Sequence, residues 1–232
     1  VVVNDQYYRN VFQQCFEGLK FMHGQAMLHC DIKEPNLMLK TPNYHHPDVV
    51  IIDFGVSKAM AEPPGGLPRG TPGYMPPETL DTGKWFPRGD MFSMGVCMIQ
   101  MVLDKMPPLG ARTNVTPGGI FIEGLVTIED ICQATRTREP PFHLMPASMQ
   151  KLTRLLRELL AKRMTWRPTP SQVLKDPWLS GVHPEHVVKG RHSRATVGIT
   201  KSFLANMDST EASPASVALL KLQAMLGVAD SS

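Results

Sequence analysis

The sequence predicts a mainly α-helical domain with a few short β-strands gathered near its front. Three observations predict it. Apolar residues recur at i, i+3 and i+4 spacing over 5–23 and again over 147–162, the pattern of helices with one buried face. The run 90–103, DMFSMGVCMIQMVL, is apolar nearly all round, which marks a helix buried inside a domain. Between residues 27 and 52 three short apolar pieces stand among polar and turn residues, as short strands do.

The first helix, 5–23, gathers Tyr8, Val11, Phe12, Cys15, Phe16, Leu19 and Met22 on one face, with Gly24 as its stop. The strands are Met27–Leu28, Leu37–Leu39 and Val49–Ile52, with Thr41–Asp48 a loop. Val56–Glu78 reads as irregular because Gly and Pro recur through it. After the buried helix, 106–121 is a Pro/Gly loop. The helix 147–162 rests on Met149, Leu152, Leu155, Leu156, Leu159 and Leu160. A short helix starts at Ser171–Lys175, with Trp178 packing its end.

The bulk numbers set bounds. A chain of 232 residues with 42% apolar content can build one domain plus a tail. A net charge of +3 gives no whole-chain reason to expect nucleic acid or a membrane surface as partner. No apolar run is long enough to span a bilayer as a helix. Cys15, Cys30, Cys97 and Cys132 are widely spaced and form no C-x-x-C pair, the usage of reduced thiols in an intracellular, cytoplasmic protein.

Chemistry concentrates in two places. His29-Cys30-Asp31-Ile32-Lys33-Glu34-Pro35-Asn36 lies between two strands, and Asp53-Phe54-Gly55 follows the third. Together they bring two carboxylates, one ammonium and one amide to adjacent strand ends. That set suits phosphoryl transfer, where the protein mainly positions the reactants and neutralises charge. The hard oxygens of Asn36 and Asp53 suit Mg²⁺. Asp31 can orient an incoming hydroxyl and accept its proton, and Lys33 can balance charge on the moving group.

The first run resembles the H-R-D-x-K-x-x-N catalytic loop of eukaryotic protein kinases, and the second their D-F-G motif. The resemblance continues in order. Gly70-Thr71-Pro72-Gly73-Tyr74-Met75-Pro76-Pro77-Glu78 is similar to the segment that ends in A-P-E. Asp90 stands where the family has D-x-W-S-x-G, Arg167 where it has the distal Arg that pairs with that Glu, and Asp176-Pro177-Trp178-Leu179 resembles H-P-W-L. The matches cover roughly residues 5–180. They imply a protein-kinase-like fold: a mainly α C-lobe with a few short β-strands at the catalytic loop, over 1–182, with the N-lobe absent. They imply ATP and Mg²⁺ as cofactors and a protein with a Ser/Thr acceptor as substrate. Asp31 and Lys33 are then catalytic, Lys33, Asn36 and Asp53 bind the nucleotide, and Asn36 and Asp53 hold the metal. The resemblance also makes His29 structural, Asp90 a brace for the catalytic loop, Glu78 and Arg167 a buried pair, and Thr71 a neighbour of Asp31 and Lys33.

The sequence departs from the family in four places. Cys30 replaces the Arg that grips an activation-loop phosphate, and a thiol cannot make that contact. Between Val56 and Gly70 the only hydroxyl is Ser57, so phosphorylation of that loop is not expected to switch the protein. K-E-P-N replaces K-P-E-N, which puts a preference for basic substrates in doubt. Only about four residues precede the first helix, where the family has a Gly-rich loop, a strand Lys and a helix Glu; the missing N-lobe or its equivalent becomes a required partner, and the chain alone is expected to be inactive. Two function classes follow: a Ser/Thr protein kinase, implied by the intact Asp31, Lys33, Asn36 and Asp53, or a kinase-derived non-catalytic scaffold, implied by Cys30 and the absent lobe.

The composition changes near residue 183. The segment 183–232 is a basic, Ser-rich tail with one further helix at 214–226, capped by Ser213 and begun by Pro214. Its place after the kinase-like region is similar to that of the regulatory segments of the calcium/calmodulin-dependent branch.

Overall fold

The computed structural model describes residues 4–40, 43, 46–60, 69–103, 120–121, 125 and 127–180. The tail 183–232, its expected helix at 214–226 and most of the expected loop 106–121 lie outside the described residues.

Helix α1, Asp5–Gly24, buries the face that the sequence spacing selects, from Tyr8 to Met22. Asn4 caps it by accepting the N–H of Tyr7 through Oδ1 at 3.0 Å, a contact worth about 1 kcal/mol. The helix includes Gly24 and ends at Gln25, and Ala26 then takes a left-handed turn (φ 57°) into the first strand. The strands form two antiparallel ladders. Strand β1, Met27–Leu28, pairs with β4, Lys58–Ala59. Strand β2, Leu37–Leu39, pairs with β3, Val49–Ile51, Leu37 opposite Ile51. Strand β4 lies in the stretch expected to be irregular; a Lys-Ala pair has no apolar alternation to announce it.

Helix α2, Pro77–Thr82, starts inside that same stretch and ends on Gly83 (φ 70°). Helix α3, Pro87–Leu103, begins three residues before Asp90, on a Pro whose missing N–H costs nothing in a first turn. Every residue of α3 from Gly89 to Gln100 is buried. Gly95 is what lets the next layer approach: a Cβ there would stand 3.0 Å from Leu159 Cβ.

Helix α4, Ile128–Thr137, was not predicted by periodicity, because only Ile131, Ala134 and Thr135 are buried on it. Its start was legible in another way. Thr127 accepts the N–H of Asp130 at 3.0 Å, a T-x-x-D cap. Helix α5, Gln150–Leu159, is shorter than the expected 147–162, since 3₁₀ turns at Phe142–Leu144 and Ala147–Met149 lead into it. Helix α6, Pro170–Val173, carries a full capping box between Thr169 and Gln172.

The core sits between α1, α3, α5 and β3, filled by Phe12, Phe16, Leu19, Ile51, Phe92, Met94, Leu155 and Leu156 among others. Trp178 closes it. Its indole N–H donates to Asp5 Oδ1 at 2.8 Å and so joins the far end of the fold to the first turn of α1. Two small apolar clusters flank the loops that carry chemistry: Met22, Met27 and Phe54, and Leu28, Cys30, Met75 and Trp85.

Candidate active site

Helix α3 is the post from which the site hangs. Asp90, fully buried in its first turn, accepts three hydrogen bonds. The N–H groups of His29 and Cys30 donate to it at 3.0 and 2.9 Å, and His23 Nε2 donates at 2.9 Å. This brace lets Cys30 adopt φ 66°, a conformation costly for a residue with a Cβ unless its surroundings enforce it. His23, from the last turn of α1, was not singled out in the sequence; nothing in its spacing shows that it meets Asp90.

His29 is a structural link. Its Nε2–H donates to the carbonyl of Ile52 at 3.0 Å, and its Nδ1 accepts the N–H of Asp31 at 3.3 Å. Those partners select the neutral ring with the proton on Nε2. Burial pushes the pKa below the ordinary histidine value, against the raising pull of Asp90, the Ile52 carbonyl and the carboxylates of Asp31 and Asp53. His29 thereby ties the segment that carries Asp31 to the strand end that leads into Asp53.

Three of the four sequence-predicted site residues meet directly. Thr71 Oγ1 donates to Asp31 Oδ1 at 2.6 Å. Lys33 Nζ donates to Thr71 Oγ1 at 2.9 Å and stands 2.8 Å from Asp31 Oδ2. Asn36 Nδ2 donates to the Asp31 carbonyl at 2.8 Å and reaches Asp31 Oδ2 at 3.4 Å. Asn36 ends a 3₁₀ turn, Glu34–Asn36, with Pro35 as its second residue, closed by the Asn36 N–H on the Lys33 carbonyl at 2.9 Å.

Asp53 is placed on the neighbouring strand end. The Ile52 N–H donates to the Asn36 carbonyl at 2.9 Å, which fixes the two strand exits side by side. Asp53 itself is exposed, at φ 63°, and one carboxylate oxygen accepts the Gly55 N–H at 3.2 Å. No cation pairs with it among the described residues. No three His, Cys, Asp or Glu side chains converge as a metal cage among the described residues. The donor set fits Mg²⁺ even so. That ion takes one or two protein oxygens and fills its octahedron with phosphates and waters. Asn36 Oδ1 and the Asp53 carboxylate are two such oxygens, because the amide of Asn36 spends its Nδ2 on Asp31.

The segment carrying Thr71 is held by its own geometry. Gly70 sits at φ 139°, and a Cβ there would meet the Cys30 carbonyl at 2.9 Å and Trp85 at 3.0 Å. Farther along, Glu78 and Arg167 form the expected pair: two parallel contacts of 2.6 and 2.7 Å, with the guanidinium fully buried. Arg167 also donates to the carbonyls of Ala161, Arg88 and Lys162.

Glu34, the residue that departs from the family order K-P-E-N, does not face solvent. It is buried, accepting Tyr74 Oη at 2.5 Å and Gln100 Nε2 at 2.5 Å. Gln100 was masked in the sequence by the apolar run around it. The one signal available was that a long amide is an odd resident of a helix buried on every side.

With fold and site described, the family can be stated: residues 1–179 match the protein kinase domain, and the chain belongs to that family. Among curated relatives, the MAP kinase kinase skh1/pek1 of Schizosaccharomyces pombe is 28% identical over 172 residues, 73% of this chain and 44% of that protein. The mitogen-activated protein kinase kinase kinase ANP1 of Arabidopsis thaliana is 31% identical over 183 residues, 76% of this chain and 24% of that one. The calcium-dependent protein kinase 6 of Plasmodium berghei is 27% identical over 183 residues, 78% of this chain and 11% of that one. The chain thus spans less than half the length of each of these relatives. No helix among the described residues is long and apolar enough to cross a membrane.

Proposed function

We propose that this chain is the C-terminal, catalytic lobe of a Ser/Thr protein kinase, transferring phosphate from Mg-ATP to a protein hydroxyl in an intracellular setting. The observation that carries the reading is the closed contact set of Asp31, Lys33 and Thr71, with Asn36 on the same loop. Relatives named as Ser/Thr or MAP-pathway kinases support the reaction class. The lobe that roofs the nucleotide belongs, in this reading, to the rest of the protein.

The geometry supports a role for each residue. Asp31 accepts through both oxygens, so a substrate hydroxyl entering beside Thr71 meets an oriented acceptor for its proton. Lys33, held 2.8 Å from Asp31, offers further N–H donors to the oxygens of the moving phosphoryl group. Asn36 and Asp53 present oxygens from two adjacent strand exits for the metal. Mg²⁺ held there would supply charge neutralisation for the transferred group. Thr71 joins acid and ammonium, which keeps both side chains in one arrangement before substrate arrives.

The test is phosphotransfer from Mg-ATP to Ser/Thr peptides by the full-length protein, beside Asp31→Asn and Asp53→Ala. Wild type should transfer phosphate. Asp31→Asn should lose about 10²–10⁴-fold in kcat, the range of a positioned base, and Asp53→Ala should lose metal-dependent nucleotide binding. A wild type that neither transfers phosphate nor binds nucleotide would refute the reading and leave a scaffold that acts by contact.

A further inference from the structure

The polar residues of the buried helix α3 are not scattered. Asp90, Ser93 and Gln100 follow one another at spacings that put them on one side of the helix. Each holds a loop of the site. Asp90 takes the backbone of His29 and Cys30, ahead of Asp31. Ser93 donates to the Tyr74 carbonyl at 2.8 Å. Gln100 donates to Glu34 at 2.5 Å and to the Tyr74 hydroxyl at 3.0 Å, while its own Oε1 accepts the Ile120 N–H at 3.3 Å. Glu34 adjoins Lys33 in sequence, and Tyr74 lies three residues beyond Thr71. The N–H groups of Tyr74 and Met75 both donate to the Thr71 carbonyl, at 3.1 and 3.2 Å, so that turn moves as one piece.

The same two segments are therefore joined twice. On the open side Asp31 and Lys33 grip Thr71; underneath, Glu34 grips Tyr74. We infer that Glu34, through Tyr74 and Gln100, is a positioning residue that locks the Asp31–Lys33 loop to the Thr71 segment from below. The inference rests on the phosphoryl-transfer reading for its kinetic consequence, though not for its geometry. A carboxyl group in so buried a place carries a desolvation cost, and its ordinary alternative is to turn out to water. It stays because two donors converge on it, the Tyr74 phenol and the Gln100 amide, and the amide is itself held by the N–H of Ile120.

The requirement is for one carboxylate and one amide facing a single phenol. In Glu34→Gln, two amides face Tyr74. In one orientation of the introduced amide two N–H groups confront each other; in the other the Tyr74 proton loses its acceptor. Exchanging the two side chains restores the set. The amide at position 34 then donates to the carboxylate at position 100, and an oxygen at position 100 still accepts from Ile120.

The experiment uses the full-length protein: wild type, Glu34→Gln, the exchange Glu34→Gln with Gln100→Glu, and Tyr74→Phe, which removes a single oxygen. The readouts are kcat and KM for ATP, together with amide hydrogen exchange of segments 29–37 and 71–75. Glu34→Gln should lower kcat by about 10²-fold, the cost of a small misplacement of reacting groups, with KM for ATP unchanged. Tyr74→Phe should show a smaller loss of the same kind, and the exchange variant should recover most of the rate. Wild-type kcat in Glu34→Gln, or an exchange variant as slow as the single one, overturns the inference. If wild type itself transfers no phosphate, the phosphoryl-transfer reading fails and hydrogen exchange decides this one. Faster exchange of both segments in Glu34→Gln, slowed again in the exchange variant, supports the lock; unchanged exchange overturns it.

Discussion

Replacing Arg167 by Ala strips a buried guanidinium from five oxygens at once. Two belong to Glu78, at 2.6 and 2.7 Å; the others are the carbonyls of Ala161, Arg88 and Lys162 at 2.8, 3.0 and 3.2 Å. The side chain also lies over the Phe92 ring, 4.8 Å from its centroid. The substitution leaves Glu78, mostly buried, without its cation. Removing one member of a buried pair costs about 3–5 kcal/mol, because the remaining charge is stranded. For a domain of this size each kcal/mol moves the Tm by about 2–4 °C, so the shift should be about 6–20 °C downward. Urea unfolding followed by tryptophan fluorescence measures it directly, since Trp178 and Trp85 are both buried. The double variant Glu78→Gln with Arg167→Met should lose less than Arg167→Ala, as no charge is left behind. A loss under about 1 kcal/mol in Arg167→Ala, or a double variant worse than the single one, would refute the reasoning.

The remaining predictions concern pH and thiols. Burial lowers the His29 pKa, so the unfolded chain binds the proton more tightly than the folded one. The contribution of His29 to stability is thus present above the ordinary value of 6.5 and is lost as pH falls below it. Burial raises the Glu34 pKa, which acts in the opposite direction, so the difference between wild type and His29→Gln isolates the histidine. That difference, read from unfolding between pH 7.5 and about 5, should shrink toward low pH; a constant difference would contradict it. Among the thiols, burial pushes Cys15 up to about 12 and Cys97 well above its usual value, while Cys132 is only half-buried. Alkylation of the folded protein should therefore modify Cys132 first, with Cys15 and Cys97 reacting only on unfolding. Equal rates for Cys15 and Cys132 in mass-spectrometric mapping would contradict the burial of α1.

What was legible in the sequence was whatever depends on near neighbours. Helix α1 and its buried face, β1, β2 and β3 all follow from local periodicity and punctuation. Asp31, Lys33 and Asn36 lie within six residues, so one turn of backbone is enough to gather them, and their spacing carried the message. Helix α4 was missed because it offers three buried positions where an apolar stripe needs more; its cap was the better signal. The orientation of Glu34 was not legible. It is decided by Tyr74 and Gln100, 40 and 66 residues away, and a Glu beside a Lys reads as a solvated residue until those partners are known. His23 was hidden for the same reason: its partner Asp90 lies 67 residues on.

The bond between Trp178 and Asp5 spans 173 positions of chain and has a consequence for synthesis. Helix α1 leaves the ribosome well before the residues it packs against in α6 and before the indole that seals its first turn. At about 5–20 residues per second the apolar face of α1 waits roughly 9–35 s for its final partners. During that interval Phe12, Phe16 and Leu19 are covered only by what has already been made. Helix α1 is thus left longest without its final partners, and a pause in translation placed between residues 24 and 178 would lengthen its exposure more than a pause anywhere after it.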